Sequence, residues 1–226
     1  MVFQTLRRNG KRLAQLALLT LWGLGYAWHL YAMAGFRFVG EKITIRLLAM
    51  DRIGFTGIYE YENSALVPVR RTLRYPLVIA PDHPFPERIM VTEQGMGPVP
   101  FATDGAENLF FEIELAPGER KCLTVTFQQP APGHWFRYIL TTTRSWPHPL
   151  DQAEFRLERA DVPVVWTENS LERIPGGHEA HDAPVVVHAQ RTVPGSVGLA
   201  SGTATSVWRF GSFWPDRDLT LTWKEQ

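Results

Sequence analysis

"NLFFEIELAPGERKCLTVTF", residues 108–127, consists of two alternating runs on either side of one turn. In the first run Leu109, Phe111, Ile113 and Leu115 share a face, while Glu112 and Glu114 point away. In the second, Leu123, Val125 and Phe127 oppose Cys122, Thr124 and Thr126. Successive side chains of a strand leave opposite faces of its sheet, so a period of two marks a strand with one buried face. Pro117 and Gly118 supply turn chemistry between the runs, and the stretch predicts an antiparallel hairpin.

The same period recurs along the chain. In "KITIRLLAM", Ile43, Ile45 and Leu47 alternate with Lys42, Thr44 and Arg46. In "GIYEYEN", Gly57, Tyr59 and Tyr61 alternate with Ile58, Glu60 and Glu62, and "AEFRLER" and "DLTLTW" repeat the pattern further on. Seventeen prolines and eighteen glycines punctuate these runs and disfavour long helices. The expectation is an all-β fold, an immunoglobulin-like antiparallel β-sandwich occupying residues 37–226. Candidate strands around 162–167, 184–190, 204–210 and 218–223 place residues 161–226 as extra strands of that body or as a small second lobe. The polar stretch "ENSLERIPGGHEAHD", residues 168–182, reads as an exposed loop or a boundary.

Ahead of the body stands "LAQLALLTLWGLGYAWHLYAMAGF", residues 13–36, without a formal charge. As a helix rising about 1.5 Å per residue it crosses a hydrocarbon layer of about 30 Å, whereas an export signal needs only about 7–15 apolar residues. Tyr26, Trp28 and Tyr31 gather toward one end, where aromatic rings favour the headgroup level. Arg7, Arg8, Lys11 and Arg12, within the basic segment 1–12, hold the other end in the cytoplasm. The expectation is a single transmembrane helix with the body outside, on the periplasmic side in a bacterium. Ala32 and Ala34 have the spacing of a cleavage site, so a secreted module cut after Ala34 is the alternative. Gly23 and Ala27 form a small-xxx-small pair suited to helix packing. His29 is a candidate ligand to a haem or chlorophyll metal; the plainer reading puts it at the outer interface.

Charge narrows the partners. Four of the 23 basic side chains lie in the leader, leaving 19 against 23 acidic ones in the remainder, a net charge of −4. A mildly acidic body does not attract a phosphate backbone, so nucleic acid is not an expected partner. Cys122 is the lone cysteine; it excludes an internal disulfide and, between strand-like neighbours, reads as an inert thiol.

Chemistry-bearing motifs are sparse. "PGSVG" around Ser196 lacks the spacing of a nucleophile elbow, and no Gly-rich phosphate loop joins a strand to a helix. "GGHEAHDAP" puts His178, Glu179, His181 and Asp182 within five residues, a donor set for a divalent metal with His188 nearby; a solvated polar loop is the favoured reading. "SVWRFGSFWPDRDL" concentrates Trp208, Phe210, Phe213 and Trp214. Large rings usually go to the core, and strict alternation puts Trp208 and Phe210 on the face opposite Val207 and Arg209, while Phe213, Trp214 and Arg217 are candidate contacts with a partner or the membrane surface. The functional expectation is therefore a membrane-anchored, extracytoplasmic, non-catalytic accessory subunit or assembly partner of a membrane protein complex, contacting the bilayer and requiring no cofactor. The alternatives are a metal-dependent ectodomain enzyme using the His178–Asp182 loop, or a secreted small-ligand-binding module.

Overall fold

The structure is a computed structural model that describes residues 35–159, 164–170, 185–187 and 204–225. Its strands are β1 (Phe36–Ala49), β2 (Arg52–Asn63), β3 (Val69–Pro76), β4 (Glu87–Glu93), β5 (Gly97–Pro98), β6 (Phe101–Thr103) and β7 (Asn108–Leu115). They continue as β8 (Arg120–Pro130), β9 (Trp135–Tyr138), β10 (Leu150–Arg159), β11 (Val164–Asn169), β12 (Val185–Val187), β13 (Ala204–Phe213) and β14 (Leu219–Glu225). A 3-10 turn, Thr141–Ser145, stands between β9 and β10.

One sheet of eight strands runs β12-β13-β10-β1-β2-β8-β4-β5. Two three-stranded sheets, β11-β14-β9 and β3-β7-β6, pack on its inner face, and one apolar cluster draws on all three. The body is all-β and layered as a sandwich. Each described pairing is antiparallel except β1–β10, which is parallel, so the expectation of a purely antiparallel body is corrected. β11, β13 and β14 fall where the sequence places strands, and β13 joins the large sheet through β10.

The outer face of the large sheet carries ion pairs in register. Arg46 meets Glu158, Lys42 lies 3.3 Å from Glu154, and Arg209 lies 2.8 Å from Glu154. Exposed pairs of this kind contribute about 0–1 kcal/mol each, so they keep the face solvated rather than hold the sheet together. The stabilising layer is inside, where β1, β2 and β8 present fully buried Ile43, Ile45, Leu47, Phe55, Leu123 and Val125.

The hairpin expected at 108–127 is absent. β7 pairs with β3 and β6, while β8 pairs with β2 and β4, so the two strands lie in different layers. Alternation reports which face of a strand is buried but not which strand lies beside it. Both apolar rows here are buried in the one core cluster, each from its own layer. Gly118 adopts φ +72°, and its N–H donates to Asn63 O at 2.7 Å, wrapping the arch around the end of β2. The Asn63 side chain, fully buried, donates to Val67 O (2.7 Å), Leu115 O (3.2 Å) and Ala116 O (3.1 Å). Its Oδ1 accepts from Ala65 N at 3.0 Å.

The apolar leader run ends earlier than its composition suggests. Phe36 opens β1 and is only 5 % exposed, stacked on Tyr61 at 5.7 Å, so it belongs to the core and not to a membrane helix reaching residue 36. Among the described residues no helix is long and apolar enough to cross a membrane. The expectations for Gly23, Ala27 and His29 lie outside the described residues.

Asn63 carries the first test. Asn63→Ala leaves several buried backbone groups unpartnered and should lower unfolding stability by about 3 kcal/mol. Asn63→Asp, which turns an acceptor toward three carbonyls, should cost at least as much. Urea denaturation midpoints check both, and a near-neutral Asp variant would contradict this role for Asn63.

Candidate functional site

The inner face of β2 carries Phe55, Gly57, Tyr59 and Tyr61 in one row. Phe55 meets Phe136 and Tyr138 of β9, with ring centroids at 6.1 and 5.3 Å. Four residues on, Tyr59 meets Tyr75 of β3 edge-on at 5.7 Å. The covering layer therefore changes from one small sheet to the other between Phe55 and Tyr59, and a seam runs there. Gly57 is required at this point, because a Cβ on it would stand 2.2 Å from the Tyr59 hydroxyl. The Tyr59 ring lies along its own strand over that gap.

β1 reaches the seam with a bulge. Phe38 pairs with Tyr61 and Gly40 with Glu60, leaving Val39 without a partner across the ladder. One extra residue reverses the alternation. Phe36 and Phe38 face inward before the bulge, and Glu41, Ile43, Ile45 and Leu47 face inward after it. A carboxylate is thereby delivered to the core, opposite Tyr59 on one side and Ala153 on the other.

Three phenols run up to that carboxylate. The Tyr138 hydroxyl donates to Glu41 Oε2 at 2.9 Å, the Tyr138 and Tyr59 hydroxyls are 3.1 Å apart, and those of Tyr59 and Tyr75 are 3.0 Å apart. Each hydroxyl has one proton, so the chain is polarised one way at a time. With Glu41 ionised, every phenol donates toward it. Glu41 Oε1 is buried and has no partner. Burial pushes the Glu41 carboxyl up from 4.5 to about 7, with the Tyr138 hydrogen bond opposing the rise. Burial likewise raises Tyr59, Tyr61, Tyr75 and Tyr138, which keeps the phenols protonated.

Above Glu41 the seam opens into a pocket of about 640 Å³. Its floor is Phe36, Phe38, Glu41, Tyr59 and Tyr61; one wall is β3 from Arg71 to Pro76 with Phe111. The other wall is the segment that follows β9, from Ile139 through the 3-10 turn to Trp146 and Pro147. Asp218 fixes this wall: its Oδ1 accepts from Leu140 N and Thr141 N, each at 3.1 Å, and from Thr141 Oγ1 at 2.8 Å. Trp146 lies 5.5 Å from Phe36 and 5.7 Å from Phe38, completing an aromatic box. The charged side chains lining the pocket are Glu41, Arg71 and Arg74. Arg71 shares the inward row of β3 with Leu73 and Tyr75, whereas Arg74 is exposed.

A second buried titratable group has a different setting. His83 is fully buried with both ring nitrogens unpartnered, stacked on Trp135 at 4.5 Å and against Phe136 at 5.8 Å. Burial pulls its pKa from 6.5 to about 4, with Asp82 opposing, so the imidazole stays neutral. It does not line the seam pocket.

The residues singled out in the sequence land elsewhere. Trp208 and Phe210 share a face, and that face is buried. Phe213 is 1 % exposed and packs on Phe155 and Phe210 at 5.5 and 5.0 Å, so it is a core residue and not a surface contact. Ser212 at φ +48° breaks the alternation and turns Phe213 back inward. Trp214 is half-buried, and exposed Arg217 pairs with Asp216 at 3.0 Å. Burial raises the Cys122 thiol pKa and Glu60 adds to the rise, consistent with an inert thiol. His178, Glu179, His181, Asp182 and His188 lie outside the described residues. Among the described residues no group of three or more His, Cys, Asp or Glu side chains is placed to hold a metal ion. The sequence reading missed Glu41, although its phase with Ile43, Ile45 and Leu47 marks it as inward.

No family model matches the sequence, and no curated protein matches it. Among solved structures, the fold is similar to that of a Legionella pneumophila protein described as a nutrient-binding protein. That match has a TM-score of 0.55 at 14 % identity, over 84 % of this chain and 67 % of that one. The M1 zinc metallopeptidase of Deinococcus radiodurans gives a TM-score of 0.43 at 11 % identity, over 83 % of this chain and 42 % of that one. Yeast LTA4 hydrolase gives 0.41 at 8 % identity, over 84 % of this chain and 29 % of that one. The first likeness is one of fold.

The two buried titratable groups oppose each other with pH. Glu41, raised in the folded state, contributes stability that is full below 4.5 and lost as pH rises through about 7. His83, lowered in the folded state, contributes stability that is full above 6.5 and lost as pH falls through about 4. Each change amounts to roughly 3 kcal/mol. Glu41→Gln should therefore be more stable than the parent at pH 8, its advantage shrinking toward pH 4.5. His83→Phe, which keeps the ring stack, should gain on the parent as pH falls below 6.5. Denaturant unfolding across this range reads both differences, and parallel curves would contradict the assignments.

Proposed function

We propose that this chain is a membrane-anchored, extracytoplasmic recognition protein: a non-catalytic accessory body whose seam pocket receives a small organic ligand. The observation that carries the reading is the pocket itself, an aromatic box built over a buried carboxylate with one oxygen left unpartnered. Pockets that are mostly apolar, with a few convergent polar groups and a perturbed titratable residue, are the usual form of a ligand site. The groups around it suit binding and orientation: four phenols, a carboxylate and two arginines. The Legionella protein's description as nutrient-binding accords with this reading, which rests on the pocket and not on the likeness.

The location follows from the leader. An uncharged run of this length with basic residues before it supports a retained anchor. The body would begin immediately: Gly35 O accepts Ser64 N at 2.8 Å, and Phe36 is already core. A retained anchor ahead of Gly35 would hold the sandwich close to the bilayer, and Leu66, 78 % exposed and next in sequence to the Ala65 that packs on Gly35, is an apolar contact offered to it. Half-buried Trp214 and exposed Arg217, at the turn between β13 and β14, form the surface offered to a companion membrane subunit.

Two measurements test this reading. After an alkaline wash of native membranes, the chain should stay in the pellet with an intact mass that includes Met1; a released chain starting at Gly35 would contradict the anchor. In the full chain in detergent micelles, the Trp146 indole N–H signal, assigned through Trp146→Phe, should shift on adding small aromatic compounds. A Trp146 signal indifferent to neutral, cationic and anionic compounds alike would contradict the pocket.

A further inference from the structure

We infer that the seam pocket is a receptor for an organic amine, a ligand whose primary or secondary ammonium donates to Glu41 Oε1 while its body lies against Phe36, Phe38, Tyr61 and Trp146. The inference deepens the pocket reading above and rests on it. It starts from an oxygen with nothing to bind. Glu41 is 5 % exposed and lines the floor of the cavity, Oε2 is taken by the Tyr138 hydroxyl, and Oε1 is buried with no donor. A buried carboxylate missing a partner is costly, and such costs are retained where a ligand supplies the missing group.

The chemistry of that group is constrained from several sides. It must carry a donor N–H or O–H, because a quaternary ammonium would balance the charge and still leave Oε1 without a hydrogen bond. It must be cationic or neutral, because a carboxylate or phosphate placed there would face Glu41 at close range. The surrounding rings favour a cation, since the negative faces of Tyr and Trp attract an ammonium once water is excluded. Trp146 stands 6.1 Å from Tyr61, and Phe38 is stacked on Tyr61 at 5.1 Å, so these rings pack on one another into a continuous aromatic surface along the cavity, against which an apolar body can lie. The polarised phenol chain from Tyr75 through Tyr59 and Tyr138 fits the same picture. Its protons all point toward the carboxylate when Glu41 is charged, the state in which it holds a cation.

Affinity should follow the ionisation of Glu41. The groups that face it are the Tyr59 and Tyr61 phenols from β2, Tyr75 and Arg71 from β3, and Tyr138 from β9. Of these the phenols are raised by burial and stay neutral, and Glu41 is the group that titrates near 7.

Calorimetry on the full chain in detergent micelles tests the inference with three probes of one shape: phenethylamine, 3-phenylpropionate and 2-phenylethanol. At pH 8 phenethylamine should bind at least tenfold more tightly than either of the others. Its affinity should fall roughly tenfold or more between pH 8 and pH 5.5, as the ionised fraction of Glu41 falls. Glu41→Gln should abolish the preference for the amine while leaving 2-phenylethanol unaffected. Equal binding of all three probes, or an amine preference that survives Glu41→Gln, would overturn the amine assignment and leave the pocket standing. Absence of binding by all three would overturn both. The comparison of probes on the parent chain is decisive even if the variant does not fold.

Discussion

One row of side chains on β2 packs against two separate sheets, and the site follows from where that row changes partner. Phe55 belongs to the layer built on β9, Tyr59 to the layer built on β3, and only Gly57 lies between them. Two small sheets meeting over one large one cannot close their junction with backbone pairing. Side chains must fill it. Here the filling is incomplete above Glu41, and the remaining space is the pocket. The β1 bulge at Val39 makes the site possible, because without the extra residue Phe36, Phe38 and Glu41 could not all face the same side.

Two buried groups with unpartnered polar atoms show how setting separates a site from a packing feature. His83 sits between Trp135 and Phe136 away from the seam pocket, and its neutral ring behaves as one more flat surface in a stack. Glu41 opens onto a cavity, takes one hydrogen bond from a chain of phenols and keeps a second acceptor unused. Both lower the stability of the fold relative to apolar residues of similar size. Only the second has space beside it for something that would repair the deficit.

Much of the fold was legible because a half-buried strand writes its burial into every second residue. That rule located β1, β2, β7, β8 and β10, and it placed strands at β11, β13 and β14 in the C-terminal third. Partner choice was not legible. Residues 108–127 have the pattern of a hairpin, yet the arch around Asn63 sends β8 to the other layer. Nor does alternation survive a positive φ, which is why Phe213 is core although the rule at Trp208 and Phe210 would turn it outward. Glu41 was readable in principle, being in phase with three buried aliphatics. Its polarity hid it, since a lone carboxylate in an inward row is an exception to the pattern that finds strands.

The ionisation of Glu41 in the intact chain is the most direct measure of whether the seam holds a desolvated, poised carboxylate. Carbon-13 labelling of glutamate with NMR detection of the side-chain carboxyl, assigned through Glu41→Gln, would follow it as pH is varied. A midpoint near 7 is the expected result. A midpoint near 4.5, the value of a solvated glutamate, would mean that water and protein donors already satisfy the group, and the site as described would not exist.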